Sequence, residues 1–329
     1  MAALALVVPG PGWGSGYTIG IDVSHWNRAV SWTSVAASRY RFVFAKATEG
    51  TVGSDFTYPT YRVSANAAGL RVGAYHFARP AGRTRAAVRA NAVAQADHFV
   101  SIARPRAGDL LPVLDLEQKG RLRPRALIAW ASAWLRRVER RLHVKPIVYA
   151  SPRFWRRALA DTPSFAANGY GLWLAHWTKA PAPLVPALNW ASFGWTFWQW
   201  TSCRRVVGIR GCVDADRFKG PKLSPVLVRA APTNVSLPII DGIPELGETL
   251  TATIGRWRGT LPIDYAYLWE RCDPYGLECS TIPDATSDTY ELTAEDVGST
   301  IDVVVTATNW IGTASATSLP TPVVVAPTS

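Results

Sequence analysis

From residue 17 to 218, short apolar runs alternate with stretches of helical period. Residues 17–24, 41–49, 70–77, 110–117, 145–149, 171–177 and 195–201 each read as a strand, and 213–216 as a short eighth. Helical patterns fill much of the space between them, at 58–68, at 84–103 and from Pro124 onward. In 84–103, Val88, Ala92, Gln95 and Phe99 form one stripe. After Pro124, which suits a first helical turn, Leu127, Ala131, Trp134, Val138 and Leu142 recur on one face. Strands alternating with helices predict a parallel α/β sheet, and eight strands predict a closed (β/α) barrel. The span is short against the roughly 250 residues usual for such barrels. Helices after the fifth strand are therefore expected to be missing or stunted.

Beyond residue 232 the pattern changes to short alternating segments, as at 249–253, 264–270 and 301–308. This predicts an all-β sandwich over 233–329. A Pro-, Leu- and Val-rich linker is expected at 223–232, a barrel at 18–222, and a leader or partial signal segment at 1–17. Charge supports the division. Residues 1–222 carry 31 basic and 11 acidic side chains, whereas 223–329 carry 4 and 13. With 48% hydrophobic and 18% charged residues, the 329-residue chain is no disordered polymer. No apolar run is long enough to span a membrane. Cys203 with Cys212 and Cys272 with Cys279 form two close pairs without the spacing or His partners of a zinc site. Two local disulfides and an oxidising, extracellular setting are the expectation.

The candidate chemistry lies at 115–117. Asp115 and Glu117, two apart in a strand, face the same side, with Leu116 packed on the other. At the carboxyl end of a barrel strand both enter the mouth where barrel enzymes work. Repulsion and partial burial raise the proton affinity of one, the equipment for a general acid in glycoside cleavage. Asp22 and Asp214 reach the same mouth from the first and last strands.

These residues stand in segments that resemble a known family. GIDVSHW at 20–26, FVFAKATEG at 42–50, GLRVGAYHF at 69–77, PVLDLE at 112–117, WQWT at 198–201 and VDADRF at 213–218 are similar, in order, to family 25 glycoside hydrolase lysozymes, the N-acetylmuramidases. The resemblance implies an irregular TIM-like barrel of eight strands and about five helices. It implies Glu117 as general acid/base, Asp115 orienting the substrate acetamido group, and Asp22 and Asp214 completing the site. Asp216 stands where the family usually has Asn, so Asp214 and Asp216 both remain candidates. It also implies hydrolysis of the β-1,4 bond between N-acetylmuramic acid and N-acetylglucosamine, without a cofactor or metal. The C-terminal region resembles bacterial immunoglobulin-like repeats through GETLTA at 247–252, WERC at 269–272, DATSDTY at 284–290 and DVGSTI at 296–301.

Lys46, Tyr75, Arg79 and Tyr149, at or beyond strand ends, are expected to bind sugar groups, and Trp173 and Trp198 to stack on sugar rings. His25 and His76 lack a spaced third ligand and read as hydrogen-bonding residues. The Arg136, Arg137, Arg140 and Arg141 cluster reads as a solvated helix face. A basic barrel without a nucleic-acid motif points to peptidoglycan and anionic wall polymers as partners, not nucleic acid. A secreted monomer is expected. The rivals are a non-catalytic wall-binding protein and a chitinase-like glycosidase.

Overall fold

A computed structural model describes residues 16–327, so the apolar stretch of the expected leader lies outside the described residues. The chain forms two compact units that divide between Val228 and Arg229.

The first unit runs β1 (Thr18–Val23), α1 (Trp32–Ala37), β2 (Phe42–Glu49), β3 (Gly53–Ser54), α2 (Tyr58–Ala67), β4 (Arg71–Phe77) and α3 (Arg85–Ala103). It continues with β5 (Val113–Asp115), α4 (Pro124–Leu142), β6 (Ile147–Ala150), α5 (Pro152–Ala158), α6 (Ser164–Ala167), β7 (Gly171–Ala175), β8 (Phe197–Arg204) and β9 (Val213–Phe218). From β1 through β2, β4, β5, β6 and β7 to β8, neighbouring strands pair in parallel. Then β9 closes the ring between β8 and β1, antiparallel to both. The wholly parallel barrel expected from the sequence is corrected at this strand. The link from Arg204 to Val213 is spanned by the Cys203–Cys212 disulfide and is too short for a crossover, so a hairpin is the available connection. Helices do thin out after β6: α5 and α6 are short, and a left-handed turn at 187–191 stands before β8.

Two apolar layers hold the barrel. Inside, Phe42, Phe44, Tyr149, Trp173, Phe197 and Phe218 fill the lumen below the mouth, with Phe44 stacked on Trp173 at 4.5 Å. Outside, Leu114 and Leu116 pack in the layer that contains Leu127, Trp134 and Val138 of α4 and the predicted stripe of α3. Fully burying such a side chain contributes about 2–3 kcal/mol. Thr84 caps α3 by accepting from the Ala87 amide, and Arg137 of α4 grips Asp97 of α3 at 2.7 and 3.0 Å.

Part of the expected linker belongs to this unit. Val226 and Val228 are buried, and 226–228 exchanges backbone hydrogen bonds with 108–111. Apolar side chains at these positions close the lumen base, which a solvated linker would not do.

The second unit is all β. A four-stranded antiparallel sheet contains β14 (Asp264–Cys272), β15 (Cys279–Thr281), β17 (Thr300–Asn309) and β18 (Gly312–Thr317). A smaller sheet joins β11 (Ile240–Asp241), β12 (Thr249–Ala252) and β16 (Thr289–Glu291), and β10 (Thr233–Ser236) pairs with β13 (Arg256–Arg258). Leu250, Trp269, Leu292, Ile301 and Val303 share one core. Cys272–Cys279 staples the β14–β15 hairpin, so both expected disulfides are present.

Candidate active site

The carboxyl ends of the parallel strands form the mouth. Because β9 runs the other way, its first residues, not its last, reach that rim: Asp214 pairs with Asp22, while Asp216 lies one step deeper opposite Gly20. Gln199 of β8 ties this side together. Its amide donates to Asp22 Oδ2 at 2.8 Å and Asp214 Oδ2 at 3.3 Å. Its carbonyl accepts from the Tyr149 hydroxyl at 3.1 Å and from the Trp177 indole at 3.0 Å. Asp216 is fully buried and accepts from the Trp173 indole at 2.8 Å. Burial, followed by the charges of Asp216 and Asp214, pushes the Asp22 carboxyl well above its usual range. Burial likewise raises Asp216, with Asp214 adding to it. Asp214 rises to about 6 through burial and the Glu117 charge, against a lowering hydrogen bond from Asp22.

The opposite side carries the D-x-E pair. Asp115 ends β5 and is buried, and its Oδ1 has no partner. Glu117 follows in the loop on the open rim. Burial and then Glu117 raise Asp115 strongly. Glu117 is also raised, by crowding protein atoms, while Lys46 and Arg79 pull it back. Lys46 holds Glu49 at 2.5 Å, and Arg79 holds Glu49 and Gln118. These cations outweigh burial at Glu49, which stays below its usual range. A cleft of about 470 Å³ beside Lys46, Glu49 and Arg79 includes His25 and Asp55; another of about 610 Å³ includes Glu117, Lys119 and Arg153.

Gly120 sets the course of the loop after Glu117. Its φ is +56°, and a Cβ there would come within 2.2 Å of the Pro80 carbonyl oxygen. Only a residue without a side chain lets this loop lie against the one that carries Arg79.

The structure thus brings Asp22, Asp115, Glu117, Asp214, Lys46, Tyr75, Arg79 and Tyr149 to one mouth. Tyr75 and Tyr149 are buried, and both are raised by burial and then by the surrounding acids. The two tryptophans expected to stack on sugars require correction. Trp173 is buried in the lumen between Phe44 and Tyr149. Trp198 lies on the outward side of β8, buried, with its indole donating to the His176 carbonyl. Strand alternation places Phe197 and Gln199 inward and leaves Trp198 behind them. Exposed rings do stand near the acids: Trp177, and Trp26 beside His25. Gln199, Glu49 and Trp177 carry no motif that marks them in the sequence, although alternation from Phe197 points Gln199 inward. His76 is a core residue, bonded to Thr48 and Gln95 and lowered to about 4 by burial. His25 pairs with Asp55 at 2.7 Å.

Residues 21–209 match the profile of glycosyl hydrolases family 25. Over 210 residues the chain is 34% identical to Lysozyme M1 of Streptomyces globisporus, covering 61% of this chain and 67% of that protein. It is 30% identical over 215 residues to an N,O-diacetylmuramidase of Arthroderma benhamiae, covering 63% of this chain and 84% of the relative. The solved bacterial lysozyme from Streptomyces coelicolor superposes with a TM-score of 0.57 at 32% identity, covering 64% of this chain and 94% of that one. An acid-ringed barrel with these relatives is a glycoside hydrolase. The chain belongs to glycosyl hydrolase family 25.

Proposed function

We propose that this protein is a muramidase that hydrolyses the β-1,4 bond between N-acetylmuramic acid and N-acetylglucosamine in peptidoglycan. The observation that carries the reading is the Asp115–Glu117 pair at the mouth, with Glu117 raised by its surroundings and open to the cleft. A raised Glu117 holds a proton toward neutral pH and delivers it to the departing glycosidic oxygen. Asp115 Oδ1, buried without a partner, is free to accept from the acetamido N–H of the substrate. Asp22 and Asp214, bridged by Gln199, face the positive charge that develops at the sugar during cleavage. Lys46 and Arg79 tune Glu117, and Trp177 offers an exposed ring for a sugar face.

The second unit is proposed to be an immunoglobulin-like module that binds or spaces. Two disulfides fit export to an oxidising exterior. Mass spectrometry of digested peptidoglycan tests the assignment: muramic acid must appear at the new reducing ends, and N-acetylglucosamine there would overturn it.

A further inference from the structure

The α3–α4 face carries a groove unrelated to the acid cluster. Arg85 and Arg89 of α3 face Arg136 and Arg140 of α4 across a cavity of about 260 Å³ floored by valine and alanine. It continues, through the shared Arg85, Val88 and Ala129, into a wider cavity of about 690 Å³. Arg83, Arg121, Arg123 and Arg125 line that end. All eight guanidinium groups belong to exposed residues. None is paired with a carboxylate among the described residues, in contrast to Arg137 and Arg141, which share Asp97. The spacing of Arg136 and Arg140, and of Arg85 and Arg89, is one helical turn, so each pair stands on one face. Helix α3 follows β4 and α4 follows β5, so the wide end of the groove opens at the mouth side of the barrel and the narrow end runs down between the helices. From Arg123 to Arg140 the rise is about 26 Å.

A row of unneutralised guanidinium groups along a groove of that length fits an extended polyanion better than a single small anion. Arginine forks match phosphate oxygens two at a time. The floor and walls contain no aromatic side chain on which a nucleobase stacks, which sets the groove apart from single-strand nucleic-acid channels. We infer that the α3–α4 groove is a binding site for a polyol-phosphate chain of the bacterial wall, and that it holds such a chain alongside the glycan entering the mouth. The choice of a wall polymer rests on the peptidoglycan reading above; the groove itself does not.

The test uses the full chain carrying Glu117→Gln, so that walls stay intact while binding is measured. Sedimentation with whole walls is compared with walls stripped of their phosphodiester polymers. Replacing Arg85, Arg89, Arg136 and Arg140 by Gln is expected to weaken binding to whole walls by about tenfold or more in low salt, with a shallower salt dependence. Binding to stripped walls is expected to stay unchanged. The same four positions replaced by Lys should keep most of the binding. Replacing Arg39, Lys179, Arg205 and Arg210 by Gln, an equal loss of charge elsewhere, should cost markedly less. Equal losses from both neutralised sets would reduce the effect to net charge and overturn the site. Tighter binding of a single-stranded oligonucleotide than of a purified polyol phosphate would also overturn it. With Glu117 restored, the Arg85/Arg89/Arg136/Arg140 variant should digest stripped walls at the normal rate. Failure of the unsubstituted enzyme to digest stripped walls would count against the muramidase reading alone.

Discussion

At the scale of the residue, the chemistry depends on how far each carboxyl is pushed from its usual range. Glu117 is raised by the protein atoms crowded around it and restrained by Lys46 and Arg79. Removing a nearby cation must raise it further. Arg79→Gln is therefore expected to shift the alkaline limb of the pH profile of kcat/KM upward, because Glu117 keeps its proton to higher pH. The loss also leaves Glu49 less neutralised, which acts in the same direction. A downward shift, or none, would remove Glu117 from the role of acid. Glu117→Gln should lower turnover by about 10²–10⁴-fold while wall binding persists. A Glu117→Gln protein that still clears walls normally would mean that the acid lies elsewhere.

At the scale of the element, much was legible because strand and helix periods are written plainly in the first 150 residues. The stripe Val88, Ala92, Gln95 and Phe99 is buried, as the spacing predicted. The acid pair at 115–117 and the acids at 22 and 214 could be placed at one mouth from their strand ends. What could not be read was the direction of β9, since the segment 213–218 has the same alternation whichever way it runs. The fate of Trp173 and Trp198 was equally hidden: a ring near a strand end serves a sugar or the core according to its neighbours, and here Phe44 and Tyr149 enclose the first. Gln199 is not legible in the sequence because a neutral amide carries no charge signature, although it bonds two of the acids. Among the loops, Gly120 gives a prediction. Gly120→Ala meets both an unfavourable φ and the Pro80 oxygen, so it should cost at least about 1–2 kcal/mol in thermal or denaturant unfolding. Activity should fall with it, since the loop also carries Glu117. A variant of unchanged stability would mean that this loop contact is easily remade.

At the scale of the whole molecule, both units bury carboxyls that prefer their protons. In the second unit, Asp302 is raised to about 6, by burial and then by Glu270, and its Oδ1 has no partner. A carboxyl raised on folding holds a proton that the unfolded chain releases, so its contribution to stability fades as pH climbs from about 4 to about 6. Ionised Asp302 therefore destabilises the unit at neutral pH. Asp302→Asn should raise the unfolding temperature of the second unit at pH 7.5 and change it little at pH 4.5, as calorimetry would show. Equal effects at both values would assign Asp302 a packing role only. In the barrel, Asp22, Asp115, Asp214 and Asp216 act in the same direction. His76, lowered to about 4, opposes them, since a neutral buried imidazole loses stability as pH falls.

The reversed final strand also decides where the barrel begins and ends. Thr18 lies opposite Phe218, and its hydroxyl donates to the Gly220 carbonyl at 2.8 Å. Polypeptide therefore enters the barrel at its base, away from the acids, the last strand ends beside that entry, and the chain then crosses the base to pair with 108–111 before the unit ends at Val228. An enzyme so arranged is a cassette: it can be spliced into longer chains, or its ends joined and new ones opened in a distant loop, without any seam crossing the catalytic rim.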